Sequence, residues 1–378
     1  MGEHMNALAD VLGRGGHRLL LAFPRERSWF SQARDHGAEV IELPSIENPL
    51  RSGFRAEIDR VVAERSVDLL HAHFSYALPV ALAFRSPRQW LGRQPRLPMV
   101  YHWHNPPKAL QAQGVRTFPG GTLQTAIARW GDRVIDRHVA VSSEIAELLV
   151  SHRWTAKTKV THLPNGLGRK PADPVPFRAQ PSPLVIGTVA NFREQKDHAT
   201  LLKAMALVIE DGVDVQLRLV GDGATRPEME ALAANLGIQS RVEFLGSSTD
   251  PAPILRSLDV FVLSTHFEGN PLALLEAMSH GLPIIATDVA SVRDVLSSPS
   301  LGRRVPPRDP GALAEAIREL VANPDARRSL AEAAWTHSRS LLSVEDWAVR
   351  MMDLFESTAE GVHRTPTSGS SVAADVPK

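Results

Sequence analysis

The sequence predicts an α/β protein built of two doubly wound parallel-sheet domains. Three observations carry that reading. Short apolar runs alternate with helical stretches along all 378 residues. The alternation stops once, at residues 170–183, where Pro171, Pro174, Pro176, Pro181 and Pro183 stand close together. It then starts again. Apolar residues make up 43 % of the chain, enough for two cores.

In the first half, the apolar runs at 19–23, 40–43, 67–71, 99–103, 138–141 and 160–163 read as strands. Helical patterns at 54–64 and 143–151 lie between them. In the second half, strands are expected at 184–189, 215–220, 242–245, 258–263 and 283–287. Helices are expected at 199–210 and 226–236, and after Pro271. The boundaries follow: a first domain at 1–169, a linker at 170–183 and a second domain at 184–343. A helix at 344–357 and a polar, disordered tail at 358–378 complete the chain. Sheets of this kind bind ligands outside the carboxyl ends of their strands, so the cleft between the two domains is the expected site.

Composition narrows the function. The chain has no cysteine, hence no disulfide framework and no thiolate metal site. No apolar run approaches the roughly 20 residues that span a bilayer, and Met1-Gly2-Glu3-His4 opens no signal-peptide pattern. A cytoplasmic protein is expected. Net charge is zero but uneven. Residues 1–180 carry 24 Lys and Arg against 16 Asp and Glu, and the remainder 18 against 26. Such halves either attract each other or let the basic one approach an anionic surface. Arg85 to Arg96 holds four arginines, no acid and the pair Trp90-Leu91, which reads as a solvated loop or as a membrane or acceptor contact. Phosphate-loop and dinucleotide fingerprints are absent, as is any Asp-x-Asp pair, so an ATPase, a kinase or a simple NAD enzyme is disfavoured. No nucleic-acid partner is expected.

The most informative stretch lies between Leu263 and Pro283. An apolar strand runs into a turn at Glu268-Gly269-Asn270, Pro271 stands at an expected first helical position, and Gly281 marks the helix end. Strand, turn and helix N-terminus together make an anion site, with the amides around Asn270–Ala273 facing the ligand. Eight helical positions separate Glu268 from Glu276 by about 12 Å. That is too far for two carboxylates serving one glycosidic bond, which sit roughly 5–10 Å apart. The pair suits the two ends of one long ligand, or else a dipole-facing Glu and a solvated one. After the strand at 184–189 come Arg193 and Lys196, two cations placed for a diphosphate or simply exposed in a turn. His104 ends the strand at 99–103, positioned for a sugar hydroxyl or for proton transfer, or for packing. His71 and His73 raise the question of a metal. No carboxylate pair adjoins them, and no metal is expected. Gly221-Asp222-Gly223 reads as a turn or a ligand loop, and Pro164-Asn165-Gly166 as a turn.

Taken in order and spacing, these residues resemble the retaining glycosyltransferases of family 4, also called group 1, which have the GT-B fold. The resemblance runs from about residue 2 to about residue 335. It rests on Glu268-x7-Glu276, Ala277-Met278, Gly281, Val141-Ser142, Pro164-Asn165-Gly166, Gly221-Asp222-Gly223 and Phe244-Leu245-Gly246. It implies metal-free transfer from a nucleotide-diphosphate sugar, UDP- or GDP-linked, to a saccharide or lipid-linked acceptor with retention of configuration. No cofactor is implied. Glu268 would lie against the donor sugar and Glu276 on the nucleotide ribose. Arg193, Lys196, Gly269, Asn270, Pro271 and Leu272 would hold the diphosphate, and His104 would serve the acceptor side. The cationic first domain and the Arg85–Arg96 stretch favour a peripheral place on the inner membrane face, as in cell-envelope polysaccharide or glycolipid assembly. Two departures stand out. Family members often place the phosphate arginine five residues before the lysine, where this chain has Asn191. They also open with a strand and a Gly-Gly-x-Glu loop, whereas this chain starts at Gly2-Glu3-His4 as if inside that loop, so its first, mid-sheet strand is expected to be missing. The alternatives are a sugar-nucleotide epimerase or hydrolase on the same fold, and a binding-only relative.

Overall fold

Parallel strands and covering helices emerge from this alternation in a computed structural model, which describes residues 2–23, 25–27, 29–43, 54–73, 97–106 and 132–363. The first lobe comprises α1 (Gly2–Arg14), β1 (Leu20–Phe23), α2 (Phe30–Asp35), β2 (Glu39–Glu42), α3 (Phe54–Arg65), β3 (Leu70–His73), β4 (Met99–Trp103), β5 (Arg137–Ala140), α4 (Ser143–Ser151) and β6 (Val160–His162). The chain does not open in a loop. α1 begins at Gly2, and its Met5, Leu8 and Leu12, spaced three and four apart, are buried. The expected strand at 67–71 lies instead at Leu70–His73, which puts His71 and His73 inside it. The lobe's strands form two parallel pieces, β1-β2 and β3-β4-β5-β6, and among the described residues no strand bridges β1 and β3. The arginine-rich stretch at 85–96 lies outside the described residues.

The second lobe comprises β7 (Leu184–Val189), α5 (His198–Glu210), β8 (Val215–Val220), α6 (Arg226–Asn235), β9 (Val242–Gly246), α7 (Ala252–Leu255), β10 (Val260–Leu263), α8 (Leu272–Ser279), β11 (Ile284–Thr287), α9 (Ala290–Val295), β12 (Arg303–Val305), α10 (Pro310–Ala322) and α11 (Pro324–Ser338). Its sheet is parallel, in the order β12-β11-β10-β7-β8-β9. The chain therefore winds outward in both directions from β7 and β10, and the loops leaving these two neighbours diverge. That is the topological switch point, where a doubly wound sheet opens its ligand crevice. Strand alternation divides the core between the two faces. Leu184 and Ile186 pack with Leu201, Met205 and Leu217 on one side. Val185, Phe261 and Leu263 pack with Leu274, Leu275 and Met278 on the other. Each such fully buried Leu, Ile or Phe contributes about 1.5–3 kcal/mol, so the crevice is held by a rigid frame.

The proline-rich segment is docked on the second lobe. Arg178 pairs with the buried Asp259 carboxylate, which also accepts the Val185 amide at 2.8 Å. Arg327, 1 % exposed, donates to the carbonyls of Leu320, Arg178 and Ala179 at 2.8, 3.0 and 2.7 Å. After α11 the chain crosses back. Leu167 N donates to Leu342 O at 2.8 Å and Val344 N to Leu167 O at 2.9 Å, so the Pro164-Asn165-Gly166 turn leads into a crossing point. α12 (Val344–His363) then lays Val344, Trp347, Ala348 and Met351 against Met5, Leu8 and Leu12 of α1. This helix runs past the expected boundary at 357 into the stretch read as tail, where Thr358 is buried and its hydroxyl donates to Leu354 O. No helix among the described residues is long and apolar enough to cross a membrane.

Candidate functional site

The crevice is made by stitching together the two loops at the switch point. The loop after β7 forms a 3-10 turn at Glu194–Lys196, then bends through Asp197, which takes a left-handed conformation at φ 44°. Asp197 is the N-cap of α5, accepting from Thr200 N at 3.2 Å and Thr200 Oγ1 at 2.7 Å. It also lies 2.9 Å from His266 Nε2 on the loop after β10. Gln195 makes the second tie. Its carbonyl accepts the His266 amide at 2.8 Å, and its side-chain Nε2 donates to Phe267 O at 2.7 Å. Thr265 completes the seam: its amide donates to Thr287 Oγ1 at 3.0 Å, while Thr287 Oγ1 donates to Thr265 O at 2.7 Å.

The seam fixes the two residues that matter most. Lys196 Nζ lies 2.5 Å from Glu268 Oε1, with side-chain exposures of 21 % and 7 %. Beyond Glu268 the chain enters α8. Pro271 is its N-cap, not its first helical residue as the sequence suggested, and Leu272 takes that place. The amides of Leu274 and Leu275 already bond to Pro271 O, at 3.0 and 3.2 Å. Those of Leu272 and Ala273 precede the first helical bond and have no partner within the helix. Helix dipole, early amides and the Lys196 ammonium thus surround one space.

That space is a cavity of about 330 Å³. Lys196, Glu268, Asn270, Pro271, Leu272 and Ala273 line it, together with Gly221, Ser247 and Ser248. Gly221 has φ 140° and lies against Ala190 O so tightly that a Cβ would collide with that backbone, so only glycine keeps this wall in place. A cation, early helix amides and two serine hydroxyls thus share one polar cavity suited to an anionic ligand.

The other sequence-predicted residues stand apart from this lining. Arg193 is exposed and does not line the cavity, whereas Asn191 does. Gly269 is buried at the meeting of the two lobes. A Cβ there would run into His104 O, so the strand-end histidine and the Glu268 turn are pressed together across the cleft. Asn165 Nδ2 reaches Asn270 O at 3.4 Å, a second bridge. Glu276 is half-buried on α8, outside the cavity lining. Sequence reasoning missed Gln195, Thr265 and Asp197, which position Lys196 and Glu268. The adjacency of Gln195 and Asp197 to Lys196 was the one available signal.

Burial first, and the nearby Glu3 carboxylate second, push the Glu276 carboxyl up to about 7 from its ordinary 4.5. The folded state therefore holds this proton more tightly than the unfolded chain. Stability is lost as pH rises from about 4.5 through about 7, and stays lost above. Glu276→Gln removes the effect. The variant is expected to match the parent near pH 4.5 and to exceed it by on the order of 1–2 kcal/mol at pH 8, read from urea unfolding at both values. Equal stability at pH 8 would place Glu276 in water.

The family model described as glycosyl transferases group 1 matches residues 183–323, and that of glycosyltransferase family 4 matches residues 1–168. The chain is 27 % identical over 389 residues to a phosphatidyl-myo-inositol mannosyltransferase of Mycobacterium leprae, covering 98 % of this chain and 94 % of that one. It is 31 % identical over 215 residues to the lipopolysaccharide core biosynthesis glycosyltransferase LpsE of Rhizobium meliloti. That match covers 54 % of this chain and 62 % of LpsE, under two thirds of the relative's length. Among solved structures, Anabaena Alr3699/HepE in complex with UDP-glucose superposes with a TM-score of 0.72 at 17 % identity, covering 94 % of this chain and 96 % of that one. At that identity the likeness is one of fold, and the fold is GT-B.

Proposed function

Because this chain belongs to the group 1, family 4 glycosyltransferases, we propose that it moves a sugar from a nucleotide-diphosphate donor to a saccharide or lipid-linked acceptor, with retention and without a metal at the diphosphate. The observation that carries this is the Lys196–Glu268 pair at 2.5 Å, facing the start of α8 inside one cavity. Lys196 and the amides of Asn270, Leu272 and Ala273 hold the diphosphate. Glu268 lies against the sugar and Glu276 against the ribose. Arg193, exposed and outside the cavity lining, stands in reserve as a second cation.

In this reading the bond from the anomeric carbon to the phosphate oxygen breaks, and the acceptor oxygen bonds to the same face. The acceptor proton passes to the departing phosphate oxygen. Lys196 and the helix start stabilise the negative charge that gathers on the diphosphate, and Glu268 stabilises the positive charge that develops on the sugar. His104, pressed against Gly269, approaches from the acceptor side. The named activities of LpsE and of the Mycobacterium leprae enzyme support an acceptor in cell-envelope polysaccharide or glycolipid assembly. The excess of cations in residues 1–180 supports a peripheral place on the inner membrane face. Absence of binding to anionic vesicles at low salt would remove that last element.

The test is a thermal-shift series with UDP, GDP and their sugars, followed by NMR of the product. One nucleotide at 100 times its Kd is expected to stabilise the protein by about 2.7 kcal/mol. The product is expected to keep the donor's anomeric configuration. Inversion would overturn the retaining step, and epimerised or hydrolysed sugar formed as fast without acceptor would overturn transfer.

A further inference from the structure

The first lobe holds a second constellation, which the donor reading does not use. Side chains two apart on a strand share a face. β3 presents His71 and His73 in this way, and β4 presents His102, with His104 just beyond its end. The parallel register sets His73 beside His102, so the imidazoles gather on one side of the β3–β4 pair. His71 Nε2 lies 3.2 Å from His102 Nδ1, and His71 Nδ1 lies 3.2 Å from His73 Nε2. Ligating nitrogens of His71, His73 and His102 all fall within 4.8 Å of one another. Phe355 of α12 closes over His71 at 5.0 Å between ring centroids, and Trp347 lies 6.2 Å from His102.

Hydrogen bonds run through this array from His102 Nδ1 to His71 Nε2, from His71 Nδ1 to His73 Nε2 and from His73 Nδ1 to His104 Nε2 at 2.8 Å, and leave one nitrogen over. A neutral imidazole donates once and accepts once, and a buried ring normally does both. His102 is fully buried, yet its Nε2 has no hydrogen-bond partner. We propose that His71, His73 and His102 bind one divalent transition-metal ion, Zn²⁺ foremost. Two nitrogens on a tetrahedral ion at about 2.0–2.1 Å stand roughly 3.3 Å apart, close to the His71–His102 spacing. Two histidines alternating on one strand with a third on its neighbour supply three ligands and leave a fourth position open. An all-imidazole set suits zinc, copper or nickel and disfavours magnesium and calcium, which take oxygen. The ion ties β3 to β4 at the side of the sheet where, among the described residues, β3 has no other strand neighbour. It is separate from the donor cavity and takes no part in holding the diphosphate.

Tag-free protein, stripped with chelator, is titrated with ZnCl₂ by calorimetry and with Co²⁺ by visible absorption. One equivalent of zinc is expected to bind with submicromolar Kd, and bound Co²⁺ to show the intense bands of low coordination. The double variant His71→Asn/His102→Asn is expected to bind zinc at least 100-fold more weakly, and His152→Asn, on α4, as the parent does. If the double variant does not fold, the parent's cobalt spectrum decides, and weak octahedral bands overturn the proposal. So does the lack of a saturable equivalent, or zinc binding that survives in the folded double variant.

Discussion

Glu268→Ala is expected to lower kcat/KM for sugar transfer by about 10³-fold while the nucleoside diphosphate still binds, through loss of a charge that acts mainly in the transition state. Glu268 is 6 % exposed, so its field is little screened by water. In the ground state its charge is balanced by Lys196 at 2.5 Å. Once the donor is bound, the diphosphate competes for that ammonium, and Glu268 is released toward the sugar as positive charge develops there. Deleting the carboxylate removes the second interaction and leaves the first cation to the diphosphate. Diphosphate affinity is therefore expected to stay within a few fold or to improve, as read by calorimetry with UDP or GDP. Activity within fivefold of the parent would remove Glu268 from the chemistry.

Lys196→Met is expected to act in the opposite way, on binding and on folding together. The diphosphate loses its cation, and nucleotide Kd is expected to rise by about 50-fold or more, in keeping with the strength of charge-assisted contacts. The protein also keeps a buried Glu268 without its partner. Breaking one side of such a pair costs roughly 3–5 kcal/mol when fully buried. With the lysine side chain 21 % exposed, a loss of about 2–3 kcal/mol is expected. Lys196→Met/Glu268→Gln separates the two effects. It is expected to recover most of the stability and none of the affinity, giving a coupling energy above about 1 kcal/mol in a double-mutant cycle. A double variant no more stable than Lys196→Met would mean the pair is not coupled in solution.

The parts of this site written in one short stretch were legible before folding. Glu268, the glycine turn and the helix after Pro271 follow each other within twelve residues, and strand, turn and helix signals all act over that range. The second lobe's strand at 184–189 was placed to the residue because its apolar run is long and buried on both faces. What depends on the meeting of two loops was not legible. Arg193 and Lys196 are equivalent cations on paper. The left-handed bend at Asp197 and the Gln195 ties to the loop after β10 turn Lys196 inward, while Arg193 stays exposed. The same holds for the histidines. His71 and His73 without a carboxylate argued against a metal, and only the register placing His73 beside His102 brings the third imidazole within reach. β12 escaped because a three-residue strand holding Arg303 and Arg304 has no apolar run to read. Gly2-Glu3-His4 was taken for part of a loop on the strength of the family resemblance, whereas these residues already belong to α1, whose Met5, Leu8 and Leu12 carry the helical period.

The central claim is spatial: the donor lies across the switch point, its diphosphate between Lys196 and the start of α8. A crystal structure with the nucleotide that stabilises the protein tests it most directly. The account predicts diphosphate oxygens within hydrogen-bonding distance of Lys196 Nζ and of the Leu272 and Ala273 amides, with the ribose hydroxyls on Glu276. A nucleotide bound elsewhere, or one in this crevice with its diphosphate away from Lys196, would contradict it.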